Sequence, residues 1–134
     1  FALEYRSQDV KTLTSFRALL NSECTQVGKK RGVNFDLGSG ALTEPARMSE
    51  GVNALLRTTA SALDIPFELL PSGAGHDSAV FANVGVPTAM IFVRNDKGSH
   101  NPLEAMDMND FHAGSELLAQ SVWTAANQQE GFTS

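Results

Sequence analysis

Two histidines stand in glycine-flanked segments that interrupt the hydrophobic periodicity of this chain: His76 in Leu69-Leu-Pro-Ser-Gly-Ala-Gly-His-Asp77, and His100 in Gly98-Ser-His-Asn-Pro-Leu-Glu104. Imidazole changes its charge near neutral pH and is the commonest protein metal ligand. A loop histidine with no packing task is therefore a candidate for proton transfer or for ligating a cation. His100 has that character, because Gly98 before it and Pro102 after it define an exposed, stiff loop. Between the two histidines the pattern predicts a short helix, Ser78–Val84, and a strongly apolar strand, Thr88–Val93. Both loops then lie at element ends, where α/β proteins keep their chemistry, and they could converge on one cleft.

Each of these residues also has a plainer reading. His76 beside Asp77 could be an acid-base pair, but neighbours in sequence often point apart, and an aspartate opening a helix is usually its cap. The Ser72-Gly-Ala-Gly75 turn invites comparison with a phosphate-binding loop, yet Ser78 stands where a third glycine is needed and no Gly-Lys-Ser/Thr follows. A serine-hydrolase elbow needs Gly-x-Ser-x-Gly, and Leu70 occupies the first glycine position relative to Ser72. Donors for a cation reduce to His100, His76, Asp77, Asp96 and Glu104, without a His-x-Asp or Glu-Glu pair, so the chain offers part of a metal site. Arg6 presents a planar fork suited to a carboxylate but shares its strand face with Glu4, and a surface ion pair is the simpler expectation. His112 is expected at the surface of the last helix.

The elements that position these groups follow from spacing. Phe1–Arg6 alternates as a strand, and Asp9–Lys30, with Ser7 as a possible cap, carries apolar residues at the spacing of a long amphipathic helix. Lys29, Lys30 and Arg31 sit where the helix dipole favours cations, and Gly32 stops the helix. Val33–Leu37 alternates again. Gly38–Pro45 is turn-rich, which predicts a domain boundary near residues 40 to 48. Beyond it come a helix from Glu50 to Leu63 capped by Ser49, a strand at Ile65–Leu70, the glycine turn, the short helix and the buried strand. A last helix from about Asn109 to Asn127 is expected to bury Phe111, Leu118 and Val122. Alternation of strands and helices defines an α/β class.

Composition narrows the function classes. A chain of 134 residues, 42% hydrophobic, supports one ordinary core. Fifteen acidic against ten basic residues, net −5, give no footprint for nucleic acid or an anionic membrane surface. No apolar stretch reaches membrane-spanning length and no signal peptide opens the chain, which predicts a soluble, cytoplasmic protein. The one cysteine, Cys24, falls on the apolar stripe of the first helix and is expected in the core. The chain starts at Phe1 directly in a strand pattern, as the C-terminal piece of a longer protein would.

Four segments together resemble a family: Phe1-Ala-Leu-Glu-Tyr-Arg-Ser7, Leu70-Pro-Ser-Gly-Ala-Gly-His-Asp77, Val86-Pro-Thr-Ala-Met-Ile-Phe-Val93 and Gly98-Ser-His-Asn-Pro-Leu-Glu104. In this order they are similar to the C-terminal third of the N-carbamoyl-L-amino acid hydrolases, allantoate amidohydrolases and β-ureidopropionases, members of the binuclear-metal aminoacylase and carboxypeptidase superfamily. The resemblance implies that residues 1–46 are a β-α-β piece of a lid and dimerisation domain, and that 47–134 are the C-terminal part of a metallopeptidase-like catalytic domain. It implies two divalent metal ions, zinc or manganese, with His100 as one ligand. It also implies Arg6 gripping a substrate carboxylate, Gly75 meeting substrate through its backbone, and His76 shaping that substrate-binding turn.

In such enzymes the metals activate a bridging water, a glutamate takes its proton, and hydroxide attacks a carbamoyl or amidino carbon. The His-x-Asp, the Glu-Glu pair and the other ligating histidine of the family have no counterpart in this sequence. No catalytic residue is therefore assigned here, and this chain alone is expected to be inactive. The resemblance further implies a small ureido or carbamoyl substrate and a homodimer formed through the lid. The competing expectation is a non-catalytic α/β module whose glycine loop binds a small anion or a protein partner.

Overall fold

A computed structural model describes residues 3–40 and 43–127. Phe1 and Ala2 of the expected first strand, and Ala41 and Leu42 of the turn-rich segment, lie outside the described residues. Among the described residues four helices follow one another: α1 (Val10–Arg31), α2 (Glu50–Ala62), α3 (Asp77–Asn83) and α4 (Met108–Asn127). The chain divides into two compact units, one formed by Phe1–Pro45 with Pro71–Gly75 and the other by Ala46–Leu70 with His76–Ser134.

In the first unit α1 is capped by Asp9, not Ser7. The Asp9 carboxylate accepts from the backbone N–H groups of Lys11 at 3.2 Å and Thr12 at 3.0 Å, and Ser7 Oγ accepts from Asp9 N–H. Aspartate at this position satisfies two of the helix's orphan donors and brings a favourable charge, which a serine two residues earlier cannot. Gly32, at φ +67°, ends the helix and returns its N–H to Gly28 O. Leu13 is buried, and the Tyr5 ring lies 4.8 Å from that of Phe16. Cys24, expected in the core, is half-buried and lines a groove between α1 and residues 33–37.

In the second unit α2 packs on α4. Ser49 caps α2 as expected, its Oγ accepting from Val52 N–H, while its own N–H donates to Thr88 O at 2.8 Å. The buried residues of the two helices are Thr59 and Ala60 on α2 and Leu117 and Ser121 on α4. Phe111, Leu118 and Val122, expected in the core, are exposed. The packed face is the neighbouring one that carries Gly114, where an added Cβ would lie 2.8 Å from Val93 Cγ2. Hydrophobic spacing ranks faces by apolarity, whereas close approach selects the face with small side chains.

The expected strands do not form ladders among the described residues. Residues 3–6, 33–37, 65–70 and 88–93 carry no regular pairing, and the single backbone bridge joins Asp96 to Ala105. A strand exists through its partner: alternation or an apolar run specifies which faces want burial, but not which backbone supplies the hydrogen bonds. The β-α-β unit expected over residues 1–46 is, in the described residues, α1 with unpaired flanking segments. Among the described residues no helix is long and apolar enough to cross a membrane.

Candidate functional site

His100 lies at the exposed apex of a loop that is closed by its own side chains. The Asp96–Ala105 bridge, with N···O distances of 2.7 and 3.3 Å, ties the base. Asn101 Nδ2 donates to the carbonyls of Lys97 and Gly98, and Asn101 Oδ1 accepts from Leu103 N–H. The Glu104 carboxylate reaches back across the loop: Oε1 accepts from Asn95 Nδ2 at 2.8 Å and Oε2 from the backbone N–H of His100 at 2.9 Å. The Asn95 amide first, and then the His100 N–H, hold the Glu104 carboxyl below its ordinary value by favouring its charged form. Three residues of this loop have positive φ: Lys97 (63°), Gly98 (71°) and His100 (64°). Glycine adopts that region freely, but histidine and lysine do so against a steric penalty.

The loop is anchored to α4 by Arg94, whose guanidinium makes a two-pronged contact with Asp110 at 2.9 and 2.7 Å. That pairing lowers the Asp110 carboxyl and raises Arg94. Spacing alone gives none of these partners a structural task, and Asp96 and Glu104 are expected from sequence only as possible cation donors. The signal was present in Asn95, Asn101 and Glu104 bracketing Gly98 and Pro102, since short amide and carboxylate side chains favour local backbone contacts.

His76 stands at the N-terminal boundary of α3 and is half-buried, its ring 5.7 Å from Phe92. Asp77, expected to cap α3, is instead its first helical residue, where its charge still favours the helix dipole. Ser78 Oγ approaches Met90 Sδ at 2.8 Å, fastening α3 to the apolar segment 88–93.

In the first unit, Arg6 pairs with Glu4: Nε and Nη2 both lie 2.8 Å from Glu4 Oε1. Its Nη1 donates to Gly73 O, which joins the strand-like N-terminal segment to the glycine turn. Ser72 Oγ accepts from Ala74 N–H at 3.1 Å within that turn. At Gly75 a Cβ would meet nothing within 4 Å, and its φ is not left-handed, so the fold itself does not require glycine there.

As a donor to a metal ion His100 fits the part: an imidazole held on a backbone fixed by four side-chain contacts and not recruited into packing. It is one donor only. Among the described residues no three His, Cys, Asp or Glu side chains gather as a cation site.

Residues 16–124, a span that contains both the glycine turn and the His100 loop, match the model of peptidase family M20/M25/M40. The chain is 35% identical over 121 residues to an uncharacterized hydrolase of Haemophilus influenzae, covering 90% of this chain and 29% of that protein. It is 29% identical over 130 residues to the allantoate amidohydrolase of Escherichia coli, with 96% and 31% covered. To the N-carbamoyl-L-amino acid amidohydrolase of Geobacillus stearothermophilus it is 30% identical over 127 residues, with 94% and 31% covered. No solved structure matches the chain. The chain spans about three-tenths of the length of these curated relatives. It belongs to peptidase family M20/M25/M40, and that membership points to an α/β metallopeptidase-like fold.

Proposed function

We propose that this chain serves a metal-dependent hydrolase that cleaves a carbamoyl or ureido C–N bond, in N-carbamoyl amino acids or allantoate-like substrates. The observation that carries the reading is the family match across the His100 loop, together with relatives named for these two substrate classes. In this reading His100 is one ligand of a pair of divalent cations, zinc or manganese, and the remaining ligands come from outside the described residues. Such cations supply an activated water when bound. Arg6 receives the substrate carboxylate, for which its planar fork is suited once Glu4 is displaced. Gly75 offers backbone at a point with no side chain in the way, and His76 contributes to substrate binding beside it in sequence.

Residues 1–46 are proposed as a partial lid and dimerisation domain, and 47–134 as the C-terminal part of the catalytic domain, in a cytoplasmic homodimer. No described residue is assigned the general base, and the chain by itself is proposed to be inactive. The natural full-length protein, incubated with N-carbamoyl-L-amino acids and with allantoate before and after chelation, tests this reading. Ammonia release that chelation abolishes and zinc or manganese restores supports it. Release insensitive to chelation, or none from either substrate class, refutes it.

A further inference from the structure

His100 is held in a conformation that a β-carbon disfavours, and the Glu104 carboxylate bonds its N–H there. The same loop places left-handed backbone on Gly98, which adopts it freely, and on Lys97 and His100, which adopt it against a steric penalty. At His100 the left-handed backbone is instead combined with an imidazole, and the Glu104 carboxylate bonds the His100 N–H while its other oxygen takes the Asn95 amide. The carboxylate therefore links the residue entering the loop to the residue at its apex. Backbone φ sets the direction of the Cα–Cβ bond, so relaxing His100 to an ordinary conformation would swing the ring away. Both Glu104 oxygens accept from donors within the loop, Asn95 Nδ2 and the His100 N–H, so the carboxylate holds the loop's two ends together.

We propose that Glu104 is a positioning residue: it fixes His100 in the left-handed conformation and so aims the imidazole at the cation. The proposal rests on the reading of His100 as a metal ligand, and its test separates the two. In the natural full-length protein, Glu104→Ala is expected to weaken the cation affinity measured by chelator competition with zinc about 10- to 100-fold, the range seen when groups orienting a ligand are removed. In the metal-free protein the same variant is expected to lose hydrogen-exchange protection at the residue-100 amide.

Glu104→Gln keeps the side chain's length and one acceptor oxygen, so it should fold and fall between wild type and Glu104→Ala in both measurements. His100→Ala should lose the cation while keeping the protected amide, because its N–H still reaches Glu104. Wild-type zinc affinity together with wild-type amide protection in Glu104→Ala overturns the positioning role. Retained zinc in His100→Ala overturns the ligand reading instead, and amide protection lost only in the Glu104 variants would then leave Glu104 as a fastener of the loop, which also contradicts the aiming role.

Discussion

The loop of residues 95–105 and the glycine turn of residues 71–75 are both short, polar and glycine-containing, yet they are built on opposite principles. The first is over-determined: a backbone bridge, two asparagines and a glutamate fix it, and three of its residues accept left-handed backbone. The second is held by Ser72 Oγ within the turn and by Arg6 from the N-terminal segment, and its glycines at 73 and 75 have open space around them. A ligand to a cation must arrive with its geometry set, because reorganisation on binding weakens affinity. Backbone that meets a variable organic substrate gains from clearance. On the function proposed above, the rigid loop suits the metal ligand and the open turn suits the substrate.

After removal of His100 itself, the largest effect on turnover should come from the group that touches both the turn and, by proposal, the substrate. Arg6→Lys keeps the charge but loses the fork and one of the contacts to Glu4 and Gly73. In the full-length protein kcat/KM on N-carbamoyl amino acids should fall about tenfold or more, while an analogue with its carboxylate amidated should lose little further. Equal losses on both substrates would mean that Arg6 serves only to hold the turn.

A pair of glycine substitutions sharpens the contrast directly. Gly98→Ala forces a β-carbon into φ +71° and is expected to destabilise by about 1 kcal/mol, read as a shift in the denaturation midpoint. Gly75→Ala has neither a positive φ nor a neighbour within 4 Å to meet, so stability should be unchanged or slightly raised. If Gly75 carries substrate on its backbone, its alanine variant raises KM without moving the midpoint.

The anchor of the rigid loop should respond to pH in one direction. Arg94 lowers the Asp110 carboxyl, so the contribution of this pair is fully present above the ordinary aspartate value and is lost as the pH falls through the lower folded value. Protection of the first-turn amides of α4 should therefore be level from pH 7 to pH 5 and decline only below the ordinary carboxylate range, and Asp110→Asn should remove that dependence. The smallest effect belongs to Ser121, whose Oγ is buried with no hydrogen-bond partner among the described residues. Ser121→Ala is expected to be neutral or to stabilise by a few tenths of a kcal/mol, since it removes an unsatisfied hydroxyl and keeps the packing.

Helices were legible in the sequence because their signals are local. Ser49 before an apolar stripe, and Gly32 after three cations, placed the start of α2 and the end of α1 within a residue. Spacing does not separate the Asp9 cap from Ser7, since both are capping residues two positions apart, and only the backbone decides which one reaches Lys11 and Thr12. Apolar spacing points to the wrong face of α4 because Gly114 contributes nothing to a hydrophobic count yet determines how closely Val93 approaches. Strand segments were legible as patterns and not as pairings, since ladder partners are remote in sequence. Of the candidate site, His100 was visible through Gly98 and Pro102, whereas the task of Glu104 was not, because it depends on a carboxylate turning back four residues to a backbone N–H.

On the function proposed above, His100 ligates a cation in an M20/M25/M40 hydrolase. Metal content per protomer, measured on the natural full-length protein and on its His100→Ala variant at matched folding, tests it most directly. The variant is expected to lose the cation at that site and to drop in turnover by at least about a hundredfold. A variant that retains its full complement of tightly held metal and wild-type turnover would contradict it.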